Sequence, residues 1–419
     1  MQTDSHGLVI ATASADAAAG YWRTIRSYLK YRADTPVHLA DTLTADPEFG
    51  LAHCVKGYLS MLAVKQASVP AAREAAREAR RWVARASARE RAHVDALDAW
   101  IAGDIDRALT VWEAILAEYP TDVLAFRLVH FNNFWLGRPE RMLESVDRLL
   151  PSWGRELAGY GALQACLGFA AEECDDYARA EPAARLALEI DPEDAWAAHA
   201  LAHVMVMQGR SAEGIAFLEG QQRHWSGAGN IVHHLWWHQA LFHFARREFD
   251  AVLDLYDRRF RNLAAPLTQA QPDVYIDIQN AASMLFRLEL AGIDVGGRWQ
   301  EIADKAQARI GDCLSPFTLP HWIMALAATG RDETAQAALA AMRDFGNGGG
   351  TLAPIVGAVA VPVCEAVLAH RRAEHDRVVA LMRPVLTRMA TLGGSHAQQE
   401  VLRMMLHDSQ ARATTAAPG

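Results

Sequence analysis

Hydrophobic positions recur with a helical period along nearly the whole chain. Ala, Leu, Arg and Glu dominate long segments in which apolar residues return every three or four positions. Gly-Arg, Gly-Asp and Asp-Pro dipeptides separate these segments, and runs with the alternating pattern of a strand are nearly absent. Because this combination is typical of amphipathic helices with short turns, the pattern predicts an all-α protein.

Five glycines indicate that the helices repeat. Gly103, Gly137, Gly209, Gly292 and Gly330 each close one predicted helix and precede a second. Aligning the chain on them gives a period of about 34 residues, the length of a tetratricopeptide helix–turn–helix unit. One such hairpin cannot bury its own apolar face, so the units are expected to stack.

The segment Gly161–Asp194 shows the repeat most clearly. Leu167 and Gly168 stand where the tetratricopeptide motif has Leu-Gly, Ala180 occupies a small position of the second helix, and Pro192 ends the unit. On such positions the chain resembles tetratricopeptide-repeat proteins over roughly residues 87–345. The resemblance implies helical hairpins stacked in a right-handed superhelix, a solenoid that is open or closed around a central groove.

Three segments resemble a narrower group. AHALAHVMVMQGR, HLWWHQALFHF and LGGSHAQQEVL are similar to the tetratricopeptide repeat protein 38 family. Leu235 stands where that family is expected to have Asn, and Pro320 stands where an acidic residue is expected before His321. This resemblance implies the fold more than an activity.

The register predicts three regions within one continuous solenoid. Residues 1–86 form an N-terminal helical capping region, residues 87–345 the repeat array, and residues 355–410 a C-terminal helical cap. The glycine-rich segment Gly346–Pro354 is a predicted loop. Ser395 is a predicted N-cap of the last helix.

Composition and charge bear on the partners. The chain is 51% hydrophobic with a net charge of −9, so a large core is available and no basic surface dominates. The five cysteines are scattered and contain no Cys-x-x-Cys, which favours reduced thiols. We found no secretory signal and no stretch of about 20 apolar residues. These features predict a cytoplasmic protein with no nucleic-acid partner and no membrane partner.

Two histidine pairs are the main candidate chemistry. His199 and His203, and likewise His234 and His238, lie four residues apart, which places each pair on one helix face. The repeat register puts both pairs on the inner face, beside Glu172 of the preceding repeat. These five residues are the candidates for catalysis, and the four histidines are candidate ligands of a divalent metal such as zinc.

Two observations weigh against metalloenzyme chemistry. Ala200 follows His199, where the metalloprotease helix motif has Glu. Hydrogen-bonded histidines in a half-buried groove would give the same spacing. No nucleotide or other cofactor motif is evident in the chain.

Further polar and aromatic residues are predicted to line the groove and bind a ligand. Unpartnered buried polar groups cost about 1–3 kcal/mol each, so several together indicate either a network or a ligand. The two C-terminal histidines of this set join it only if the superhelix curls back over the groove. The predicted ligand-binding residues are Arg127, His130, Asn133, Phe169, Glu173, Trp236, Trp237, His243, His321 and His396.

Three functions remain open from the sequence. The leading hypothesis is a helical-repeat protein that binds a small polar molecule or short peptide in a pocket rich in His and Trp. The first alternative is an enzyme, a hydrolase or lyase that uses the histidines and a carboxylate with or without a divalent metal. The second is a protein-interaction scaffold with an open groove. The sequence leaves the ligand and any oligomer undetermined.

Overall fold

Helices account for nearly all of the regular structure. The computed structural model describes residues 1–415. Within that range the only sheet is an antiparallel pair of short strands, β1 (Gln2–Thr3) and β2 (Val9–Ile10). Many consecutive helices pack against each other in pairs. The predicted fold class, all-α with stacked helical hairpins of the tetratricopeptide type, is confirmed.

The first half of the chain contains twelve α-helices. They are α1 (Ala15–Leu29), α2 (Thr35–Ala45), α3 (Gly50–Leu62), α4 (Val69–Trp82), α5 (Ala88–Ile101), α6 (Ile105–Glu118), α7 (Val123–Trp135), α8 (Pro139–Leu149), α9 (Tyr160–Glu172), α10 (Tyr177–Ile190), α11 (Ala195–Met207) and α12 (Ser211–Gln221). Short 3₁₀ turns lie at Gln66–Ser68, Val83–Arg85, Leu150–Ser152 and Gln222–His224.

The second half continues the same scheme with more irregular segments. Its α-helices are α13 (Ile231–Ala245), α14 (Phe249–Leu255), α15 (Pro266–Ala270), α16 (Tyr275–Leu290), α17 (Trp299–Ala308), α18 (Thr318–Ala328), α19 (Asp332–Gly346), α20 (Ala353–Ile355), α21 (Val361–Arg371), α22 (His375–Met382) and α23 (His396–Thr415). Tyr256–Phe260 and Val356–Ala360 are π-helical, and Gly296–Arg298 and Arg383–Leu392 are 3₁₀.

A residue in the left-handed region closes each helical hairpin. The five glycines of the predicted repeat all have φ between 62° and 84°. At Gly103 the turn is a Schellman motif, because the Gly103 N–H donates to Trp100 O and the Asp104 N–H donates to Ala99 O, both at 2.9 Å. Five further turns carry a non-glycine residue at the same place: Tyr31, Val64, Asp175, Arg247 and Ala373.

Small residues bring the two helices of a hairpin close together. A Cβ on Gly168 would lie 3.1 Å from the Cβ of Ala184 and from the carbonyl oxygen of Ala180. The predicted Leu-Gly position in α9 therefore marks the close contact between α9 and α10. Ser395 is also confirmed as an N-cap, since it and Gln398 exchange two hydrogen bonds at the start of α23.

The chain packs into two compact units. The first comprises Met1–Asn133 and Pro139–Leu235, and the second comprises Phe134–Arg138 together with the chain from Trp236 onward. Helix α13 thus contributes to both units. The three-region division expected from the sequence stays a prediction.

One helical stretch is apolar enough to resemble a membrane span. Within the 19 residues Ala353–Arg371, an 18-residue window has a mean hydropathy of 1.7, and 61% of that window is buried inside the protein. Val359, Val363 and Val367 are fully buried in the core of the second unit. The sequence analysis found no stretch of about 20 apolar residues, whereas this one comes close to that length and contains two charged residues, Glu365 and Arg371.

Candidate functional site

Helix α11 carries the first histidine pair into the interior of the first unit. Asp194 caps its N-terminus by accepting the N–H groups of Trp196 and Ala197 at 2.9 and 3.0 Å. From Ala195 to Met207 every residue except the two histidines is apolar, and residues 194–205 are all buried. A helix that is apolar on all sides packs in a core. His199 and His203 are therefore interior residues.

Three of the predicted histidines meet in the first unit. The ring centroids of His199 and His203 lie 4.4 Å apart, and those of His199 and His234 lie 4.9 Å apart. One nitrogen from each of the three rings lies within 4.8 Å of the others. All three side chains are buried, with 0–2% exposure. Imidazoles at this separation have the geometry of a shared ligand set.

Two adjacent carboxylates lie against one of these histidines, His203. Glu172 is the last residue of α9 and Glu173 is its C-cap, and both are buried. His203 Nδ1 lies 3.3 Å from Glu172 Oε2 and 3.8 Å from Glu173 Oε1. The C-terminal end of a helix carries partial negative charge, which disfavours carboxylates and favours cations. The site therefore concentrates negative charge where a cation would be stabilised.

Glu172 is the residue whose burial most needs explanation. Its side chain is 0% exposed, and neither oxygen accepts a hydrogen bond from any of residues 1–415. A buried carboxylate without such bonds costs several kcal/mol unless it is paired with a positive charge. His203 is the only ionisable side chain for which the described structure gives an ion-pair distance to it.

His238 follows His234 by one turn of α13. It is fully buried, and the helical spacing puts the two rings on one face of that helix. The residues of α13 from Trp236 onward belong to the second unit. The set contained wholly within the first unit is His199, His203, His234, Glu172 and Glu173.

An aromatic and polar wall borders this set. The Phe169 ring lies 5.1 Å from His199 and 5.2 Å from His203, and the Trp196 ring stacks on His199 at 4.5 Å. His130 joins the wall, 6.0 Å from Phe169. Neither ring nitrogen of His130 has a hydrogen-bond partner in the described part of the chain. Burial and the Arg127 charge hold the pKa of His130 well below its usual range.

Arg127 supplies a buried positive charge beside His130. Its Nη2 donates to Tyr31 Oη at 2.5 Å, its Nη1 contacts Cys166 Sγ at 3.7 Å, and its guanidinium lies 4.7 Å from the Trp196 ring. Burial alone would lower the pKa of Arg127, but the interactions with Tyr31, Cys166, Tyr28 and Asp194 together outweigh burial and raise that pKa. None of these hydrogen-bonding partners is a carboxylate, so Arg127 remains a source of positive potential in the interior.

Sequence reasoning missed the segment that covers this interior. Tyr31 stacks on Trp196 at 5.4 Å, and its carbonyl accepts the Gly229 N–H at 2.6 Å. Lys30 pairs with Asp191 beside it. The residues lie far apart in the sequence, and Tyr31 was predicted only as part of a capping region. No local pattern could have found it.

The other predicted ligand-binding residues are placed as follows. Asn133 is buried, and it is the last residue of α7 that belongs to the first unit. His243 is half-buried and pairs with Glu248 at 2.7 Å. Trp237 is fully buried, whereas Trp236 is half-buried with the Arg259 guanidinium 4.7 Å from its ring.

Two C-terminal histidines of the predicted set lie in the second unit. His321 is buried, and its Nδ1 lies 2.8 Å from the Phe317 carbonyl oxygen. Burial lowers the pKa of His321 to about 4 although that hydrogen bond opposes the shift. His396 is half-buried as the first residue of α23. Their proposed participation in the groove stays a prediction.

The turns and the interior cluster together define the class of protein. It is an all-α helical-repeat protein whose first unit has a buried interior lined by histidine and glutamate. No protein-family model matches the chain. Among solved structures, the human IFIT1 dimer with m7Gppp-AAAA is similar, with a TM-score of 0.40, 11% identity and 97% of each chain covered.

This comparison corrects one prediction. The sequence analysis excluded a nucleic-acid partner from the net charge of −9. The matched structure is that of human IFIT1 with m7Gppp-AAAA, and the exclusion of a nucleic-acid partner is withdrawn. Net charge counts the whole surface and says nothing about one groove. At this level of similarity the match assigns no ligand to the present chain.

Proposed function

We propose that the first unit binds a divalent transition metal ion, Zn²⁺ in the first instance, and presents it to a small polar ligand. The ligands would be His199, His203 and His234, with Glu172 or Glu173 as the carboxylate. The observation that carries the proposal is the buried Glu172 carboxylate, which accepts no hydrogen bond among residues 1–415 and lies 3.3 Å from His203. His203 is one of three buried imidazoles whose nitrogens lie within 4.8 Å of one another.

The donor set suits zinc by type and by charge. Neutral imidazole and carboxylate are common Zn²⁺ ligands, and the pair His199/His203 presents two imidazoles from one helix face. Without a cation, the buried carboxylate of Glu172, which accepts no hydrogen bond among residues 1–415, would be poorly compensated. A bound cation would also offset the negative end of α9.

Metal analysis of the purified full-length protein tests the proposal. After chelation and dialysis, Zn²⁺ titration followed by calorimetry should show binding that His203→Ala and the double variant His199→Ala/His234→Ala reduce by about 100-fold or more. His53→Ala is the matched control, because His53 hydrogen-bonds only to the Pro47 carbonyl among the contacts described for it. Equal Zn²⁺ affinity in the wild type and His203→Ala would refute the site.

The wall residues indicate the class of ligand that such a metal would receive. Arg127 is positively charged without a carboxylate among its hydrogen-bond partners, and both nitrogens of His130 are without partners in the described structure. A small molecule with an anionic or hydrogen-bonding group would satisfy both. A short peptide terminus offers the same chemistry and is the other form of this proposal.

The second candidate is a metal-dependent hydrolase or lyase. Glu172 favours it, because a carboxylate with free acceptor capacity beside a metal can act as a general base on metal-bound water. The Co²⁺-substituted protein tests the idea. A visible spectrum that changes with an apparent pKa of about 7 would indicate a bound water, whereas a spectrum unchanged with pH would contradict it.

Two further predictions from the sequence are carried forward as proposals. We infer kinship with the tetratricopeptide repeat protein 38 family from the three segments that resemble it, two of which contain the histidine pairs of the site. A cytoplasmic location, suggested by the scattered cysteines, is the second. Localisation of a tagged full-length protein tests it.

A further inference from the structure

A second group of metal-ligating side chains lies in the second unit. His370 is near the end of α21, His375 is the first residue of α22, and Asp408 lies on α23. One potential ligand atom from each lies within 4.8 Å of the others. All three residues are half-buried, so solvent reaches them without unfolding. The sequence analysis did not predict this cluster.

The hairpin turn between α21 and α22 brings the two histidines together. Ala373 has φ 57°, and its N–H donates to the His370 carbonyl at 3.0 Å while the Glu374 N–H donates to Ala369 O at 2.9 Å. This Schellman geometry reverses the chain within five residues. The rings of His370 and His375 come to lie 5.8 Å apart.

Helix α23 adds the carboxylate. Asp408 Oδ2 lies 2.9 Å from His370 Nε2, and Asp408 Oδ1 accepts a hydrogen bond from Arg412 Nε at 2.9 Å. His375 Nδ1 lies 3.3 Å from Ser409 Oγ, which leaves its Nε2 as the available nitrogen. Each of the three side chains is thus oriented by a contact from a helix of the same unit.

We propose that His370, His375 and Asp408 form a second divalent-metal site, of the two-histidine, one-carboxylate type. Such a donor set binds Zn²⁺ and other late first-row divalent ions and leaves the remaining coordination positions to water. Arg412 holds Oδ1 of Asp408, and the ion would take the place of the contact between Asp408 Oδ2 and His370 Nε2. The bound ion would link α23 to the α21–α22 hairpin, and the site does not depend on the metal proposed for the first unit.

Co²⁺ binding by the full-length protein tests this site separately from the first. With His203→Ala removing the first site, we expect one Co²⁺ per chain with a visible d–d spectrum. Adding Asp408→Asn should weaken that binding by about tenfold or more, and His375→Ala should do the same. His407→Ala is the matched control, since His407 is the exposed neighbour of Asp408 and is not among the three ligands.

The two proposals fail in different ways. If His203→Ala binds no Co²⁺ while the wild type does, the second site is wrong and the first stands. If Asp408→Asn in an otherwise wild-type chain removes all binding, the first site is wrong. If His203→Ala binds one Co²⁺ with the same affinity with or without Asp408→Asn, the ion lies elsewhere and this assignment is overturned. Circular dichroism of each variant establishes that it is folded.

Discussion

The first unit buries two groups that combine a carboxylate with histidine, and they differ in how well they are satisfied. Around Asp122, Arg89 Nη1 lies at 2.6 Å, His93 Nε2 at 3.0 Å, and the Ala125 N–H donates at 3.0 Å. Around Glu172, the contact is His203 Nδ1 at 3.3 Å and no oxygen accepts a hydrogen bond among residues 1–415.

The charge state of Asp122 agrees with this difference between the two groups. Burial would raise the pKa of Asp122, but His93 and Arg89 outweigh it and hold that pKa well below its usual range. The Asp122 carboxylate is therefore charged, it is paired with Arg89, and it caps the N-terminus of α7. A satisfied network of this kind holds helices in place. An unsatisfied one of the same chemical type is what the metal ion proposed for the first unit would compensate.

Breaking the Asp122 network should have the largest effect on stability. Asp122→Ala leaves Arg89 buried without its carboxylate, so we expect the free energy of unfolding to fall by about 3–5 kcal/mol. Glu172→Ala removes a buried carboxylate that accepts no hydrogen bond among residues 1–415, so in metal-free buffer it should change that energy by less than about 1 kcal/mol or increase it. Urea denaturation of both variants measures the difference. Equal destabilisation by the two substitutions would remove the distinction between the groups.

Zinc should stabilise the protein through the Glu172 group and not through the Asp122 group. At a free concentration about 100 times its dissociation constant, a ligand of the folded state adds about 2.7 kcal/mol of stability. We expect thermal unfolding of a His370→Ala chain, which retains only the first-unit site, to shift upward with Zn²⁺. Adding His203→Ala should abolish the shift, and a shift of unchanged size would contradict the ligand assignment.

The pH dependence of the free energy of unfolding should show that His130, in the wall of the site, is buried in its neutral form. The pKa of His130 is lowered by burial and Arg127, so in the folded protein it stays neutral where the unfolded chain takes up a proton. Its contribution is present above about pH 6.5 and is lost as the pH falls below that value, at about 1 kcal/mol per pH unit. His130→Phe should lower this slope by that amount. An unchanged slope between pH 6.5 and 5 would show that His130 is not buried in its neutral form.

The smallest expected effect comes from charge near the carboxylate pair. Asp175 is exposed and sits in the hairpin turn with φ 61°, a conformation that Asn also tolerates. Asp175→Asn should therefore keep the turn and weaken Zn²⁺ binding by about twofold at low salt, with less effect at high salt. A salt-independent change would point to a rearranged turn instead.

Much of the fold could be predicted because many of its turns use glycine, which adopts the left-handed backbone conformation more readily than other residues. Gly103, Gly137 and Gly209 occupy the left-handed conformation that glycine adopts without strain, so their spacing revealed the repeat. Arg247 and Tyr31 occupy the same left-handed conformation at other turns, but neither residue type has a preference for that conformation that would predict a turn. Those hairpins could be inferred only from the period.

The part of the candidate site that lies on a single helix face could be predicted from the sequence. The four-residue spacing of His199 and His203 placed both rings on one side, and the repeat register placed Glu172 beside them. The contact between Arg127 and Tyr31 joins residues 96 positions apart, and no periodic pattern encodes it. His370 and His375 are five residues apart across a turn, so the helix-face rule does not apply to them.

Zinc K-edge absorption spectroscopy tests the central claim most directly. The full-length His370→Ala protein, loaded with about one equivalent of Zn²⁺, retains only the site formed by His199, His203, His234 and the glutamates. The account predicts nitrogen and oxygen ligands at about 2.0–2.1 Å with the multiple scattering of several imidazole rings. A shell of oxygen alone, without imidazole scattering, would contradict it.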